Sequence, residues 1–144
     1  MRFFYQIGIH FFILFLRIFS VFNPKIRTGL EGRKNWTSAL DDVPNNANVI
    51  WFHCASLGEF DQGLPVMHAL KNKTPNAYIL VTFFSPSGMQ HFEKRMHPVD
   101  KALYLPFDTK LNAKIFIQKT NPTLAIFVKY EFWPNFILEC GRSD

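Results

Sequence analysis

Four short apolar runs recur along the chain, each followed by a turn and then by helical spacing. This alternation limits the possible folds more than any other feature of the sequence. The runs are Val49-Ile50-Trp51-Phe52-His53-Cys54, Ala77 to Phe84 (AYILVTFF), Lys101 to Leu105 (KALYL) and Leu124 to Val128 (LAIFV). Continuous apolar runs of this length read as strands buried on both faces. Helical stretches separate them. Phe60 to Lys71 has apolar residues at 60, 64, 66, 67, 69 and 70, and Met89 to Arg95 is a short helix. Lys110 to Lys119 carries Leu111, Ile115 and Phe116 on one side, and Trp133 to Cys140 begins a further helix. Strands joined by such crossovers run parallel, with helices on both faces of the sheet. The expected fold is therefore α/β, a doubly wound parallel sheet over residues 48–144. Ligands of such sheets sit beyond the carboxyl ends of the strands. The turns at 54–59, 84–88, 105–108 and 129–135 are where chemistry is to be sought.

Ahead of this body lies a different kind of sequence. Phe3 to Phe22 (FFYQIGIHFFILFLRIFSVF) is apolar apart from Gln6, His10, Arg17 and Ser20. About 20 apolar residues are needed for a helix to span a bilayer. Residues 1–22 are expected to form a membrane anchor, a transmembrane helix or one lying in the interface, with Arg17 reaching the headgroups. Lys25, Arg27, Arg33 and Lys34 follow and would hold the rest of the chain on the cytoplasmic side. A cleaved signal peptide fits poorly, since no Ala-x-Ala follows; a buried core helix is the other alternative. Residues 23–47, with two Pro and two Gly, read as a basic linker.

Charge placement narrows the function. Residues 1–36 hold six basic side chains and one acid, whereas residues 37–144 hold ten of each sign. The folded body is thus neutral, which argues against a nucleic-acid partner. The two cysteines, Cys54 and Cys140, form neither a CxxC pair nor a disulfide framework. No metal-ligand constellation and no Ser/His/Asp set is visible, and no cofactor is expected.

Three turns carry residues that could do chemistry. Ser56-Leu57-Gly58-Glu59 offers Gly58, where backbone can turn sharply and a ligand approach, and Glu59 at a helix start. On spacing alone Glu59 is either a general base or an acid that stabilises the helix dipole. Ser85-Pro86-Ser87-Gly88 offers hydroxyls and N–H groups that can hold an anion, or Ser87 is an ordinary helix cap. Lys129-Tyr130-Glu131-Phe132-Trp133-Pro134-Asn135 gathers aromatics and charges suited to a sugar or glycolipid, or is a packed helix start. His53, inside the first strand, reads as a core histidine.

Together these segments resemble the 3-deoxy-D-manno-oct-2-ulosonic acid (Kdo) transferases. Trp51 to Glu59 resembles the opening strand, His, small residues, Ser and Gly-Glu of that family. Val81 to Gly88 resembles its next strand and Thr/Ser-rich turn. Tyr104-Leu105-Pro106-Phe107-Asp108 resembles its Tyr-x-Pro-x-Asp element, and Glu131-Phe132-Trp133-Pro134-Asn135 its Glu-x-Trp-Pro-Asn element. The resemblance implies a Rossmann-like domain forming the amino-terminal, acceptor-binding half of a GT-B glycosyltransferase. It implies an inverting transfer of Kdo from CMP-Kdo to the lipid A precursor at the inner membrane, in lipopolysaccharide synthesis. Glu59 would be the catalytic base and Glu131 a second catalytic carboxylate. Ser56, Gly58, Ser85, Ser87, Gly88, Lys129, Trp133 and Asn135 would bind substrate. Lys129 stands where family members often have an acid. Family members are much longer, and the tail from Cys140 to Asp144 departs from their continuation, so the donor domain is expected to lie outside this chain and the chain alone to be inactive. The contrasting expectation is a non-catalytic, membrane-attached α/β module that binds a glycolipid or partner protein.

Overall fold

The computed structural model describes residues 2–142, without the side chain of Arg2; Met1 and the tail residues Ser143 and Asp144 lie outside the described residues. Four strands form the sheet: β1 (Asn48–Cys54), β2 (Ala77–Phe83), β3 (Lys101–Tyr104) and β4 (Leu124–Val128). All pair in parallel in the order β3-β2-β1-β4. This is the order of the first four strands of a doubly wound sheet, with its reversal of direction between β1 and β4.

The helices are α1 (Arg2–Phe19), α2 (Pro24–Glu31), α3 (Leu57–Lys73), α4 (Pro86–His91), α5 (Lys110–Thr120) and α6 (Pro134–Cys140). Alternation along β1 sends successive side chains to opposite faces. Val49 and Trp51 join Leu80, Leu103, Phe116 and Phe136 in the core beneath α5 and α6. Ile50, Phe52 and Cys54 join Phe60, Met67, Ile79 and Phe83 beneath α3 and α4. Two dry cores, one on each face, are what the continuous apolar runs required.

The strands end level with one another. Cys54 pairs with Phe83 on one side and with Val128 on the other, and Phe83 pairs with Tyr104. The four turns that follow therefore leave the sheet at one height and form a single edge.

Asp108 binds that edge together. It is fully buried, and its carboxylate accepts from the Tyr5 hydroxyl at 2.6 Å and from the backbone N–H groups of Asn135 and Phe136, each at 3.1 Å. Burial pushes this carboxyl above its ordinary range, even against donors that favour the ionised form. One side chain thus caps α6, fixes the turn after β3 and docks α1.

That docking corrects the transmembrane reading. Tyr5, Gln6, Ile9 and Phe12 turn toward the body: Gln6 donates to Asn135 at 3.0 Å, Ile9 is buried, and Phe12 stacks on Phe84. Eighteen residues rise only about 27 Å, and the polar residues on one side are spent on protein contacts. Among the described residues no helix is long and apolar enough to cross a membrane. The opposite side of α1 leaves Phe4, Phe11, Phe15, Ile18 and Phe19 exposed.

The stretch expected to be linker also differs. Asn23 caps Lys25 and Ile26, and Pro24 occupies the first helical turn, so the punctuation residues start α2 instead of breaking structure.

Replacing Asp108 by Ala strands the Asn135 and Phe136 donors and frees Tyr5. The expected loss is about 3 kcal/mol, read as a lower urea midpoint by circular dichroism. Asp108→Asn, which keeps one acceptor, is expected to lose about half as much. Equal midpoints for all three proteins would show that Asp108 does not hold the edge together.

Candidate active site

Glu59 occupies the third position of α3, so Ser56-Leu57-Gly58-Glu59 has the form of a capping box. The Ser56 hydroxyl donates to a Glu59 carboxylate oxygen. The Glu59 side chain is 16 % exposed, and its other oxygen lies 3.7 Å from Lys129 Nζ. Burial pushes the carboxyl up. The Ser56 hydroxyl, backbone N–H groups of the helix start and Lys129 outweigh it and hold Glu59 below the usual carboxylate range. Glu59 is therefore ionised at neutral pH. A place in the first turn of α3 accounts for the Ser56 contact. It does not explain Lys129, which arrives from the far side of the reversal between β1 and β4.

Lys129 reaches this position at a local cost. Its φ is 69°, in the left-handed region that side chains with a Cβ seldom adopt. The turn after β4 thereby sends the ammonium back toward α3.

The second carboxylate is seated on the sheet. Glu131 Oε2 lies 3.2 Å from His53 Nε2, and the Trp133 indole N–H donates to the same nitrogen at 3.0 Å. His53 pairs in register with Thr82, and its Nδ1 lies 2.9 Å from the Thr82 hydroxyl. Accepting from Trp133 leaves Nε2 without a proton, so Nδ1 carries it and donates to Thr82. Thr82 also accepts from the Trp51 indole at 2.8 Å. Glu131 thus lies against the same ring nitrogen that accepts from Trp133. The core expectation for His53 was right about its burial but missed this connection. The signal in the sequence was a polar residue in an otherwise apolar strand.

The remaining expected residues divide. Trp133 is half-buried and stacks on Phe84, with ring centroids 5.1 Å apart. Asn135 is buried behind the edge, bonded to Asp108 and Gln6, and serves the scaffold. Ser85, not Ser87, caps α4, through a long 3.4 Å bond to Ser87 N, and the two hydroxyls lie 3.1 Å apart. Gly88 packs on Phe83: a Cβ there would stand 2.1 Å from the ring. Gly58 lies in α3 without a positive φ, so no sharp turn depends on it, and a Cβ there would make only ordinary contact with the Ser56 hydroxyl at 3.8 Å. Among the described residues no group of His, Cys, Asp and Glu could hold a metal ion.

Two carboxylates flank the reversal point of a doubly wound sheet, one beside a lysine and one on a histidine. That arrangement puts both carboxylates at the strand-end edge of an α/β domain, where sheets of this kind bind their ligands. A family model described as 3-deoxy-D-manno-octulosonic-acid transferase (kdotransferase) matches residues 28–144. The chain belongs to this family, whose members are glycosyltransferases. It is similar to the 3-deoxy-D-manno-octulosonic acid transferase of Aquifex aeolicus, with 33% identity over 68% of this chain and 27% of that protein. The Haemophilus influenzae enzyme of the same name is 29% identical over 87% of this chain and 29% of its own length. That of Chlamydia pneumoniae is 33% identical over 69% and 23%. The chain thus spans roughly a quarter of the curated relatives it matches.

Glycine suits the left-handed backbone at position 129. Lys129→Gly is expected to stabilise the domain by about 1 kcal/mol, seen as a higher urea midpoint. A lower midpoint would show that the ion pair with Glu59 outweighs the strain.

Proposed function

We propose that this chain is the acceptor-side domain of a transferase that moves Kdo from CMP-Kdo to the lipid A precursor. The observation that carries this reading is Glu59: an ionised carboxylate at the carboxyl edge of the sheet, beside a lysine, in a chain of the Kdo transferase family. Glu59 takes the proton from an acceptor hydroxyl as that oxygen attacks the anomeric carbon of Kdo. The bond to CMP breaks on the opposite side, CMP departs, and the configuration inverts. Ser56 and Lys129 keep Glu59 unprotonated until the hydroxyl arrives. Glu131, seated on His53, orients the acceptor from the β4 side. Trp133 and the exposed rings of Tyr130 and Phe132 offer apolar faces to sugar and lipid.

In this reading the chain is part of the acceptor-side half of a GT-B enzyme. The other half, which holds CMP-Kdo, lies in the part of the longer relatives that this chain does not span. No cofactor takes part. The exposed side of α1 rests on the inner membrane from its cytoplasmic face, in the plane of the interface. A lipid acceptor then meets the sheet edge without leaving the bilayer surface.

The test is Kdo transfer from CMP-Kdo to a tetra-acylated lipid A precursor, using membranes that carry this chain joined to the remaining part of a longer relative. Glu59→Gln is expected to lower transfer about a thousandfold. Unchanged transfer would remove Glu59 as the base. No transfer by the intact, folded protein would sink the enzyme reading in favour of a binding module.

The direction of the Glu59 shift adds a pH prediction. A base held below its ordinary range stays ionised further into acid. Lys129→Met removes the cation, so the acid limb of kcat/KM is expected to move to higher pH, with the plateau retained. A limb that stays in place would dissociate Lys129 from the ionisation of Glu59.

A further inference from the structure

A cavity of about 310 Å³ lies between α1, the end of α2, the turn after β3 and α5. Arg17, Arg33, Lys34 and Asn112 supply its polar lining, with Trp36 and Phe107 among the apolar residues. No carboxylate lines it.

Arg33 is the unusual member. Its side chain is 92 % buried, judged from the 8 % that remains exposed, yet it pairs with backbone carbonyls and not with an acid. It donates to Leu105 O at 2.8 Å, Gly29 O at 2.7 Å and Phe84 O at 2.6 Å. The rings of Phe84, Tyr104 and Phe107 surround the guanidinium, with centroids at 4.7 to 5.1 Å. Burial lowers it to about 10, so it remains charged at neutral pH. Carbonyl dipoles and ring faces satisfy the geometry of the cation, and the carboxylate that acts on it, Glu131, lies outside the cavity lining. Arg17 and Lys34, both exposed, add two positive charges at the mouth.

We propose that this cavity binds a phosphate group. Three cations in a cavity that no acid lines suit a doubly charged phosphate better than a single carboxylate, and guanidinium forks match phosphate oxygens. Arg17 also stands in the same helix as the exposed Phe15, Ile18 and Phe19. A helix lying in a bilayer interface through those residues would carry the cavity at the depth of lipid phosphates. The cavity shares no residue with Glu59, Glu131, Lys129 or Trp133, and the inference concerns binding alone, whatever reaction the site performs.

The experiment compares the native chain with two variants of equal charge change. Arg17→Gln/Lys34→Gln alters the cavity rim; Lys25→Gln/Lys73→Gln alters exposed lysines outside it. Both pairs avoid the buried Arg33, so folding is preserved and is checked by circular dichroism. Partitioning is measured on vesicles containing phosphatidic acid or phosphatidylglycerol at matched surface charge. Inorganic phosphate is titrated separately by calorimetry. Native chain and control pair are expected to prefer the terminal phosphate of phosphatidic acid by about tenfold, and the rim pair to lose that preference. Loss of the preference without inorganic phosphate binding assigns the cavity to a lipid phosphate. Saturable inorganic phosphate binding that the rim pair alone abolishes assigns it to a soluble one. The proposal is overturned if the rim pair changes neither measurement, or if the control pair changes both equally.

Discussion

The buried carboxylate of Asp108 is the constraint on which the rest of the edge depends. The turn carrying Lys129, Glu131 and Trp133 is only a few residues long, tied at one end to β4 and at the other to α6. Asp108 fixes that second end by taking the first N–H groups of α6, which have no partner within the helix. Without it the turn would keep its attachment to the sheet but lose its angle. The same carboxylate accepts from Tyr5, so the seating of α1 and the position of Glu131 are set by one group.

The two carboxylates of the site are held by different physics, and this separates their tasks. Glu59 sits in a helix start that supplies N–H groups, with a hydroxyl and an ammonium beside it; each favours the charged form. Glu131 faces the unprotonated nitrogen of a buried histidine whose other nitrogen is committed to Thr82. One carboxylate is kept free of its proton, while the other is anchored on the sheet through His53. A pair of acids in such unlike surroundings suits chemistry in which one group removes a proton and the other orients the substrate.

The sheet was legible in the sequence because its strands are buried on both faces. Leu124 to Val128 could be read to the residue, and the other strands to within one. The turns were legible for the same reason, since a parallel sheet places its ligand edge at the strand ends. What could not be read was the commitment of polar residues to each other across long separations. Asp108 stood in a quoted motif, but nothing local linked it to Tyr5, more than a hundred residues earlier. Asn135 and Gly88 looked like ligand residues because polar and small residues serve scaffolds and sites alike. Arg33 was counted as one more charge of a basic linker, because burial of an arginine on carbonyls and rings has no local pattern. Helix α1 read as an anchor on hydrophobicity. Its docked stripe, Tyr5, Gln6, Ile9 and Phe12, is defined only by what it meets.

The same stripe explains why a helix this apolar can belong to a folded domain. Hydrogen bonds from Tyr5 and Gln6 and the burial of Ile9 fix which side of α1 faces the body. The aromatic side must then face outward, and so large an exposed apolar surface calls for a partner. The in-plane bilayer contact proposed above satisfies both requirements at once, because it covers one side of the helix and leaves the other on the protein. A spanning helix would have to give up the Asp108 and Asn135 contacts and expose their partners. The hydrogen bonds that position the site are therefore also what turn the apolar segment from a candidate span into a surface.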